Sequence, residues 1–360
     1  MSLQMGIVGL PNVGKSTLFQ ALTKKPVTIA NYPFATIDPN VGIVSVPNER
    51  LLKLASLSKS AKVIPAAIEF VDIAGIVKGA AEGQGLGNAF LGHIREVDAI
   101  LHVVRVFQNS EIIHVENSPD PLRDFKTLNL ELILKDLDST ERAFDKAESD
   151  ARSGDKKKIE RRDIIAGIKT ILESEHLLSR QNLDHGTQEV AHEIGLLTQK
   201  PMLVVFNISD KELVENWRPD PPLLETLGAI PYLSIPIGIE AEAVNMEDAE
   251  AAEFRTLAGI QETGLSRLIH KSYELLGLIT FFTTGADETR AWTIPQGSTA
   301  PRAGRAIHSD FEQKFIRAEI IHCDELLKSG SIAKVRELGL LRIEGKEYVV
   351  QDGDVIEFRI

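Results

Sequence analysis

The sequence predicts an α/β fold with a mostly parallel sheet, and three observations indicate this class. First, short apolar runs of strand length recur along the chain. These runs are residues 4–9, 67–72, 99–104, 202–207 and 233–237. Second, helical stretches separate them, as in sheets that are covered on both faces. Third, a glycine-rich turn joins the first run to a helix at residues 15–22. Such sheets bind ligands at the carboxyl ends of their strands.

A helical region interrupts this sheet pattern. Its first half has apolar or small residues at a 3–4 spacing, which places them on one stripe of a helix. They are Leu130, Ile133, Leu137, Thr140, Phe144, Ala147 and Ala151. A turn at residues 153–155 precedes a second helical run, with Ile164, Ile168, Ile171 and Leu178 on one side. We predict an antiparallel helical hairpin inserted into the sheet domain. Its charged outer face favours projection into solvent over packing on the core.

The pattern changes again after Gly277, where short β-rich runs are separated by turn residues. These runs are residues 280–284, 291–294, 348–350 and 355–358. They predict a small α+β domain at the end of the chain. The predicted division is a sheet domain at 1–120 and 194–277, a helical insertion at 121–193, and a C-terminal domain at 278–360.

Composition limits the classes of function. The formal net charge of −12 argues against a protein that coats nucleic acid, although it leaves room for a local basic patch. Cys323 is the only cysteine, which excludes an intramolecular disulfide and a cysteine metal cluster, and we expect it in the core. The first residues lack the basic flank and apolar run of a signal peptide, and no stretch is apolar enough to span a bilayer. The expected location is the cytoplasm, without membrane contact.

Residues 9–16, Gly-Leu-Pro-Asn-Val-Gly-Lys-Ser, fit the phosphate-loop motif G-x-x-x-x-G-K-[ST] in full. The motif lies between a predicted strand and a helix, where backbone N–H groups and the helix N-terminus hold phosphates. We expect Lys15 to reach the β- and γ-phosphates and Ser16 to bind Mg²⁺. The other predicted nucleotide contacts in this segment are Asn12, Val13, Gly14 and Thr17.

Two further elements fit a site for Mg²⁺ and a nucleotide. Asp72 opens the sequence Asp-Ile-Ala-Gly at the end of the second apolar run. A carboxylate there can hold Mg²⁺ through water, and the Gly75 N–H can sense the γ-phosphate. Thr36, between the phosphate loop and Asp72, is a candidate second hydroxyl on Mg²⁺, although taken alone it fits an ordinary turn threonine better.

Asn207, Ile208 and Asp210 end the fourth apolar run in the pattern N-x-x-D. The pattern resembles N-K-x-D, with which GTPases read the base, but Ile208 replaces the lysine. The fifth GTPase element is expected near residues 236–239, where the match is poor. The ordered set of phosphate loop, threonine, D-x-x-G and N-x-x-D indicates a GTPase-type fold.

With these elements placed, the whole chain resembles the Obg-like ATPase (YchF) family. The matching stretches are residues 9–17, 31–37 (NYPFATI), 69–75 (EFVDIAG), 77–80 (VKGA), 83–88 (GQGLGN) and 290–295 (RAWTIP). The resemblance implies a GTPase-like domain, a coiled-coil insertion and a C-terminal TGS domain of β-grasp type. It also implies ATP hydrolysis and binding to the 70S ribosome, especially its large subunit.

One position departs from the family pattern, because Asp210 stands where the family usually has glutamate. In GTPases an aspartate here accepts hydrogen bonds from guanine, whereas adenine presents an acceptor on that edge and would repel it. We therefore expect ATP, read by Asn207 and by backbone groups near Ile208, with Asp210 turned elsewhere. GTP stays open as the alternative.

Ile76 occupies the place of the glutamine that orients the attacking water in Ras-type enzymes. We predict a slow intrinsic rate that rises when a partner supplies or orders a catalytic group. The family carries a histidine within residues 109–115, which matches His114, and we expect this side chain to position the water. A histidine packed at the surface or in the core is an equal alternative. Asn12 resembles the asparagine with which some GTPases bind a catalytic K⁺.

Basic residues at the turn of the predicted hairpin offer a contact with ribosomal RNA phosphates. They are Arg152, Lys156, Lys157, Lys158, Arg161 and Arg162. A solvated helix turn explains them equally. A second, weaker set in the C-terminal domain comprises Arg302, Arg305, Lys314 and Arg317.

Two other classes of protein use the same phosphate loop. A small-molecule kinase usually carries an arginine-rich lid and no N-x-x-D, and neither expectation fits this sequence. A scaffold that binds nucleotide but hardly hydrolyses it is compatible with Ile76, whereas the intact Lys15, Ser16 and Asp72 argue against it.

Overall fold

A computed structural model of the chain describes residues 3–24, 40–73, 86–260 and 262–360. These residues form two compact units. The first contains the described residues of 1–24, 38–42 and 69–265, and the second those of 43–68 and 266–360. The predicted three-domain division stays a prediction.

The helices and strands of the chain are as follows in sequence order. Up to residue 105 they are β1 (Gln4–Val8), α1 (Lys15–Thr23), β2 (Val41–Ser45), α2 (Glu49–Ser58), β3 (Lys62–Ile64), β4 (Ala67–Asp72), α3 (Leu86–Glu96) and β5 (Ala99–Arg105). Next are α4 (Pro121–Ala151), α5 (Lys156–Glu173), a 3₁₀ turn (Leu178–Arg180), α6 (His185–Ile194), β6 (Met202–Asn207), α7 (Asp210–Val214), α8 (Pro221–Leu227), β7 (Tyr232–Ile235), α9 (Ile237–Ala243), α10 (Asp248–Leu257) and α11 (Gly264–Leu275). The last are β8 (Leu278–Thr284), β9 (Glu288–Pro295), α12 (Ala300–Gly304), α13 (Ser309–Gln313), β10 (Arg317–His322), α14 (Cys323–Ser329), α15 (Ile332–Glu337), β11 (Arg342–Glu344) and β12 (Asp354–Arg359).

The first sheet has the strand order β2-β4-β1-β5-β6-β7. Strand β1 pairs in parallel with both β4 and β5, and β5 continues in parallel to β6 and then β7. Every residue of β5 and β6 is buried, which explains why these strands appear in the sequence as continuous apolar runs. The predicted parallel sheet is confirmed. Because β1 lies inside the sheet, the loop that follows it emerges between the ends of β4 and β5.

Helices α4 and α5 form the predicted hairpin, and each begins at an aspartate cap. The Asp120 carboxylate accepts from the Arg123 N–H at 3.0 Å, and the Asp155 carboxylate accepts from the Lys157 N–H at 2.8 Å. Gly154 has a φ of 76° in the intervening turn. The two aspartate caps satisfy N–H groups that have no partner inside the helix.

The buried face of the hairpin matches the predicted stripe except at its first residue. Ile133, Thr140, Ala147 and Ala151 are buried, and Leu137 and Phe144 pack against the core. Leu130, placed on the stripe, is 42% exposed, whereas Phe125, Leu128 and Leu132 are fully buried. These three residues share one apolar cluster with residues of β5 and β6. The first half of α4 therefore packs on the sheet, and Leu178 lies beyond the end of α5, in the 3₁₀ turn.

The second sheet has the strand order β11-β10-β12-β8-β9-β3 and mixes parallel and antiparallel pairs. Its core contains Phe281, Ile320 and Phe358. The predicted C-terminal α+β fold is confirmed. Strand β3 was not anticipated as part of this sheet, because its three residues lie far away in sequence. Of the predicted run 348–350, only Val349 forms a bridge, with Thr299.

Cys323 is buried, as expected. Within the described ranges, none of the helices combines the length and the apolar composition that a membrane span needs.

Candidate functional site

The phosphate loop at residues 9–16 packs tightly against the neighbouring strands β5 and β6. Gly9 has a φ of 152° and Gly14 a φ of 102°, conformations that favour glycine. A Cβ atom on Gly9 would lie 2.4 Å from the Val103 carbonyl oxygen, and one on Gly14 would lie 2.5 Å from Asn207 Nδ2. The two glycines are therefore required by close approaches as well as by backbone angles.

Lys15 is the first residue of α1, and its side chain folds back into the loop. Its Nζ donates to the Gly9 carbonyl at 3.1 Å and to the Leu10 carbonyl at 2.8 Å, and the residue is only 8% exposed. Burial lowers the pKa of the Lys15 ammonium to about 8, and the Asp72 carboxylate partly opposes this shift. A cation held this way has much to gain from a phosphate group, since phosphate charge would offset its desolvation.

His102 lies on β5 close enough to Lys15 for the two charges to interact. Burial lowers the pKa of His102 to about 3, and repulsion by the Lys15 cation contributes further. His102 is therefore neutral at physiological pH and adds no positive charge beside Lys15.

Ser16 and Asp72 lie together, as predicted for a Mg²⁺ site. The Ser16 hydroxyl donates to Asp72 Oδ2 at 3.1 Å. A hydroxyl and a carboxylate are hard oxygen ligands of the kind Mg²⁺ prefers, and Mg²⁺ completes its shell with phosphate oxygens and water. Among the described residues no group of three or more His, Cys, Asp or Glu side chains is arranged to hold a metal ion. Thr36 and Gly75 lie outside the described residues.

Asn207 ends β6, and its side-chain amide joins two loops. Its Nδ2 donates to the Val13 carbonyl at 2.9 Å, and its Oδ1 accepts from the Ile237 N–H at 3.3 Å. The side chain thus braces the phosphate loop against the start of α9. Its predicted contact with adenine stays a prediction. The observed bonds give Asn207 a positioning role that the sequence motif did not indicate.

The remaining residues of N-x-x-D separate into a buried and an exposed one. The Ile208 N–H donates to the Ile235 carbonyl at 3.1 Å, and the side chain is buried. Asp210 is exposed at the first position of α7 and lines a pocket of about 430 Å³ together with Gly238, Ile239 and Glu242. The predicted fifth element near residues 236–239 therefore lies beside N-x-x-D at the ends of β6 and β7.

His114 is buried, with 4% of its surface exposed, in a segment that we call the histidine loop, residues 107–116. Its Nδ1 accepts from the Glu116 N–H at 3.2 Å, and its Nε2 lies 3.1 Å from Asp124 Oδ2. In this position both ring nitrogens face protein groups. The expectation that His114 positions a water stays a prediction, and it requires the side chain to leave this place.

Arg105 holds the histidine loop to the end of β5. The guanidinium, in a residue that is 1% exposed, donates to the carbonyls of Phe107, Ile112 and Asn109 at 3.0, 3.1 and 3.3 Å. Asn12 of the phosphate loop donates from Nδ2 to the Ile113 carbonyl at 3.0 Å. The phosphate loop and the histidine loop are therefore in direct contact.

Sequence reasoning missed the anchoring residues Arg105 and Asp124. Both carried a signal, because each is a charged residue within an apolar pattern. Arg105 directly follows six apolar or aromatic residues of β5, and Asp124 immediately precedes Phe125 on the buried face of α4. A charge at such a position is buried only when it has partners.

The two predicted RNA-contact sets differ in how their charges are paired. Lys156, Lys157 and Lys158 are exposed at the start of α5, whereas Arg161 pairs with Glu193 at 2.5 Å. In the C-terminal unit Arg305 pairs with Glu312, and Lys314 with Asp310. The hairpin turn thus keeps more of its positive charge than the C-terminal set. Arg152 is exposed, Arg162 pairs with Asp163, and Arg302 and Arg317 complete the second set.

The parallel sheet, the complete phosphate loop and the paired Ser16 and Asp72 define a P-loop nucleoside triphosphatase of the GTPase type. Family models agree. One described as a 50S ribosome-binding GTPase matches residues 4–136, and one for the C-terminal domain of YchF GTPases, described as a protein of unknown function, matches residues 278–360.

The chain belongs to the YchF family. It is 48% identical to the ribosome-binding ATPase YchF of Bacillus subtilis, over 100% of this chain and 99% of that protein. It is 42% identical to the protein of the same name from Escherichia coli O157:H7, over 99% of both chains. The solved structure of the Schizosaccharomyces pombe YchF GTPase superposes with a TM-score of 0.90 at 36% identity, covering 99% of this chain and 98% of that one. The resemblance stated from the motifs is thereby confirmed.

Proposed function

We propose that this chain hydrolyses ATP with Mg²⁺ and acts as a nucleotide-operated ribosome-binding factor in the cytoplasm. The observation that carries the proposal is the grouping of Lys15, Ser16 and Asp72 at the phosphate loop. Lys15 and Ser16 begin α1, and Asp72 reaches Ser16 from the end of β4. A scaffold without turnover would not need this set of groups intact.

On the phosphate side each residue has a proposed role. Backbone N–H groups of residues 12–17 bind the β- and γ-phosphates, and the Lys15 ammonium adds a charge-assisted hydrogen bond. Ser16 and Thr36 would offer hydroxyls to Mg²⁺, Asp72 would hold the ion through water, and the Gly75 N–H would contact the γ-phosphate. When bound, Mg²⁺ neutralises charge on the phosphate oxygens.

For the hydrolytic step, Ile76 has no group that orients water, and His114 is the proposed substitute. Since His114 is buried against Asp124, the intrinsic rate is expected to be slow until the histidine loop rearranges. Asn12 is the proposed K⁺ ligand. Its side chain binds the Ile113 carbonyl, so a cation here would also affect the histidine loop. Equal rates in Na⁺ and K⁺ buffers would remove the K⁺ role.

Asn207, Ile208 and Asp210 are the proposed base-contact residues. The alternative nucleotide is GTP, and one observation favours it. The exposed Asp210 carboxylate and Glu242 line the same pocket, and carboxylates suit the donor edge of guanine. ATP remains our proposal because the curated relatives in the family are named ATPases.

Ribosome binding is proposed from the names of those relatives and from the description of the matching GTPase model, which specifies the 50S particle. The exposed lysines 156–158 support contact with ribosomal RNA through the hairpin turn. The C-terminal set is the weaker candidate, because its charges are largely paired.

The test has two arms. Calorimetric titration of the purified chain with ATP and GTP in Mg²⁺ buffer determines which nucleotide binds, and we expect ATP to bind more tightly. Phosphate release is then measured with and without 70S ribosomes, and we expect stimulation by ribosomes that weakens as salt concentration rises. Binding of neither nucleotide would refute the proposal, and tighter binding of GTP would establish the alternative.

A further inference from the structure

Around His114 the histidine loop has an inverted pattern of burial. His114 is 4% exposed, while the adjacent apolar residues Ile113 and Val115 are 78% and 48% exposed. Burying an imidazole costs free energy unless its nitrogens find partners, and exposing aliphatic side chains forfeits hydrophobic stabilisation. The observed arrangement therefore depends on the contacts that hold His114 inside.

Those contacts define the tautomer of His114. The Glu116 N–H donates to Nδ1 at 3.2 Å, so Nδ1 is the acceptor and Nε2 carries the proton. Nε2 faces Asp124 Oδ2 at 3.1 Å, but the N–H is not aligned as in a full hydrogen bond. The contact is thus an electrostatic one rather than a full hydrogen bond.

Asp124 is fixed to α4 rather than to the histidine loop. The Asp124 residue is 1% exposed, and its Oδ1 accepts from Arg123 Nε at 3.0 Å and Nη2 at 2.8 Å. Its Oδ2 accepts a longer bond from the Asp120 N–H at 3.4 Å. The carboxylate therefore moves with the first turn of the helix that forms the hairpin.

On its other side the histidine loop is bound to the phosphate loop through Asn12 and the Ile113 carbonyl. The loop contacts α4 through His114 and the phosphate loop through the Ile113 carbonyl. A contact to α4 that opens would free the His114 ring while the Asn12 bond keeps the loop next to the phosphates.

We propose that Asp124 is a positioning residue that holds His114 in a withdrawn place, and that turnover requires the contact between them to open. This inference rests on the proposed hydrolytic function and on the predicted role of His114. It assigns the slow basal rate to a buried contact, and it assigns stimulation to movement of the first turn of α4 relative to the histidine loop.

The test compares basal turnover of the wild type, Asp124→Asn, His114→Ala and the double variant. Asparagine keeps the size of the side chain but removes its charge. We expect about a tenfold rise in kcat for Asp124→Asn with KM unchanged, as for the loss of one charged contact from the withdrawn state. The rise should be absent in the double variant, and the ratio of ribosome-stimulated to basal turnover should fall.

Asp120→Ala is the matched control, because it removes the cap of α4 without touching His114. A rise as large in this variant would overturn the proposal, since loosening of the helix would then be sufficient. A fall in kcat for Asp124→Asn, with an unchanged melting temperature, would also overturn it.

A second readout is independent of activity. Nitrogen NMR of the His114 ring should show the Nε2–H tautomer in the wild type and a loss of that preference in Asp124→Asn. Identical ring shifts in the two proteins would refute the contact. If the wild type released no phosphate even with ribosomes, the proposed function would fail, and the ring shifts would still decide whether Asp124 holds His114.

Discussion

The phosphate loop holds its lysine through its own backbone, whereas the histidine loop beside it is held by charged side chains of other elements. Lys15 bonds to the carbonyls of Gly9 and Leu10 within the same loop. The histidine loop depends on Arg105 of β5 and Asp124 of α4. A locally closed loop gives a constant binding site, and a loop held from outside can respond to movement of its anchors.

The largest expected effect is that of a substitution in the phosphate loop. Lys15→Ala removes the only charged side chain that bonds inside the phosphate loop among the described residues. Turnover should fall by about 10²- to 10³-fold, as when an enzyme loses a donor to the transition-state charge. Basal phosphate release measures this, with Lys157→Ala in the exposed hairpin turn as the control. Near-normal turnover would mean that the nucleotide phosphates do not bind at this loop.

His114→Ala tests the histidine loop. Ribosome-stimulated turnover should fall by about 10²-fold, the contribution of a positioned proton-transfer or water-orienting group. Nucleotide affinity by calorimetry should not change, because His114 lies buried against Asp124. The control is His185→Ala, whose side chain is 85% exposed in α6. Unchanged stimulation would leave His114 as a packing residue.

Asn207→Ala sharpens the comparison, because this side chain supports the phosphate loop from outside. Loss of its bonds to Val13 and Ile237 should weaken nucleotide binding about tenfold, since each hydrogen bond contributes on the order of 1 kcal/mol. Calorimetry measures the change, with Asn245→Ala, an exposed asparagine just after α9, as the control. A loss confined to one base, with the other nucleotide unaffected, would show that Asn207 acts in base recognition instead.

The smallest expected effect is the uptake of a fraction of a proton when the nucleotide binds. The pKa of Lys15 is lowered to about 8, and phosphate contact should raise it towards the ordinary value of 10.5. At pH 8 the free protein is then half deprotonated at this site and the complex is protonated, so binding takes up about half a proton. Affinity should therefore fall as pH rises above 8.

The proton uptake is measured from binding enthalpies in buffers of different ionisation enthalpy. Lys15→Arg is the control, because arginine stays protonated at this pH. Equal binding enthalpies in all buffers for the wild type would mean that burial does not lower the pKa of Lys15.

Sequence alone predicted the parallel sheet, since strands buried on both faces appear as continuous apolar runs such as β5 and β6. It predicted the hairpin, but it placed Leu130 on the buried face. The rest of the predicted stripe is buried, and at the start of α4 packing on the sheet also buries Phe125, Leu128 and Leu132. The membership of β3 in the second sheet was not predictable, because pairing with β9 depends on a partner that lies more than two hundred residues away.

For the site, local motifs determined Lys15, Ser16 and Asp72, because a phosphate loop requires fixed residue types at fixed spacing in one segment. Tertiary structure alone decided that Asn207 braces Val13, that Arg105 holds the histidine loop and that Asp124 faces His114. These contacts join residues on different elements, and a buried polar group takes whichever partner the packing brings to it. Chemistry written into one short segment can be read from the sequence, whereas chemistry assembled between segments depends on how the chain folds.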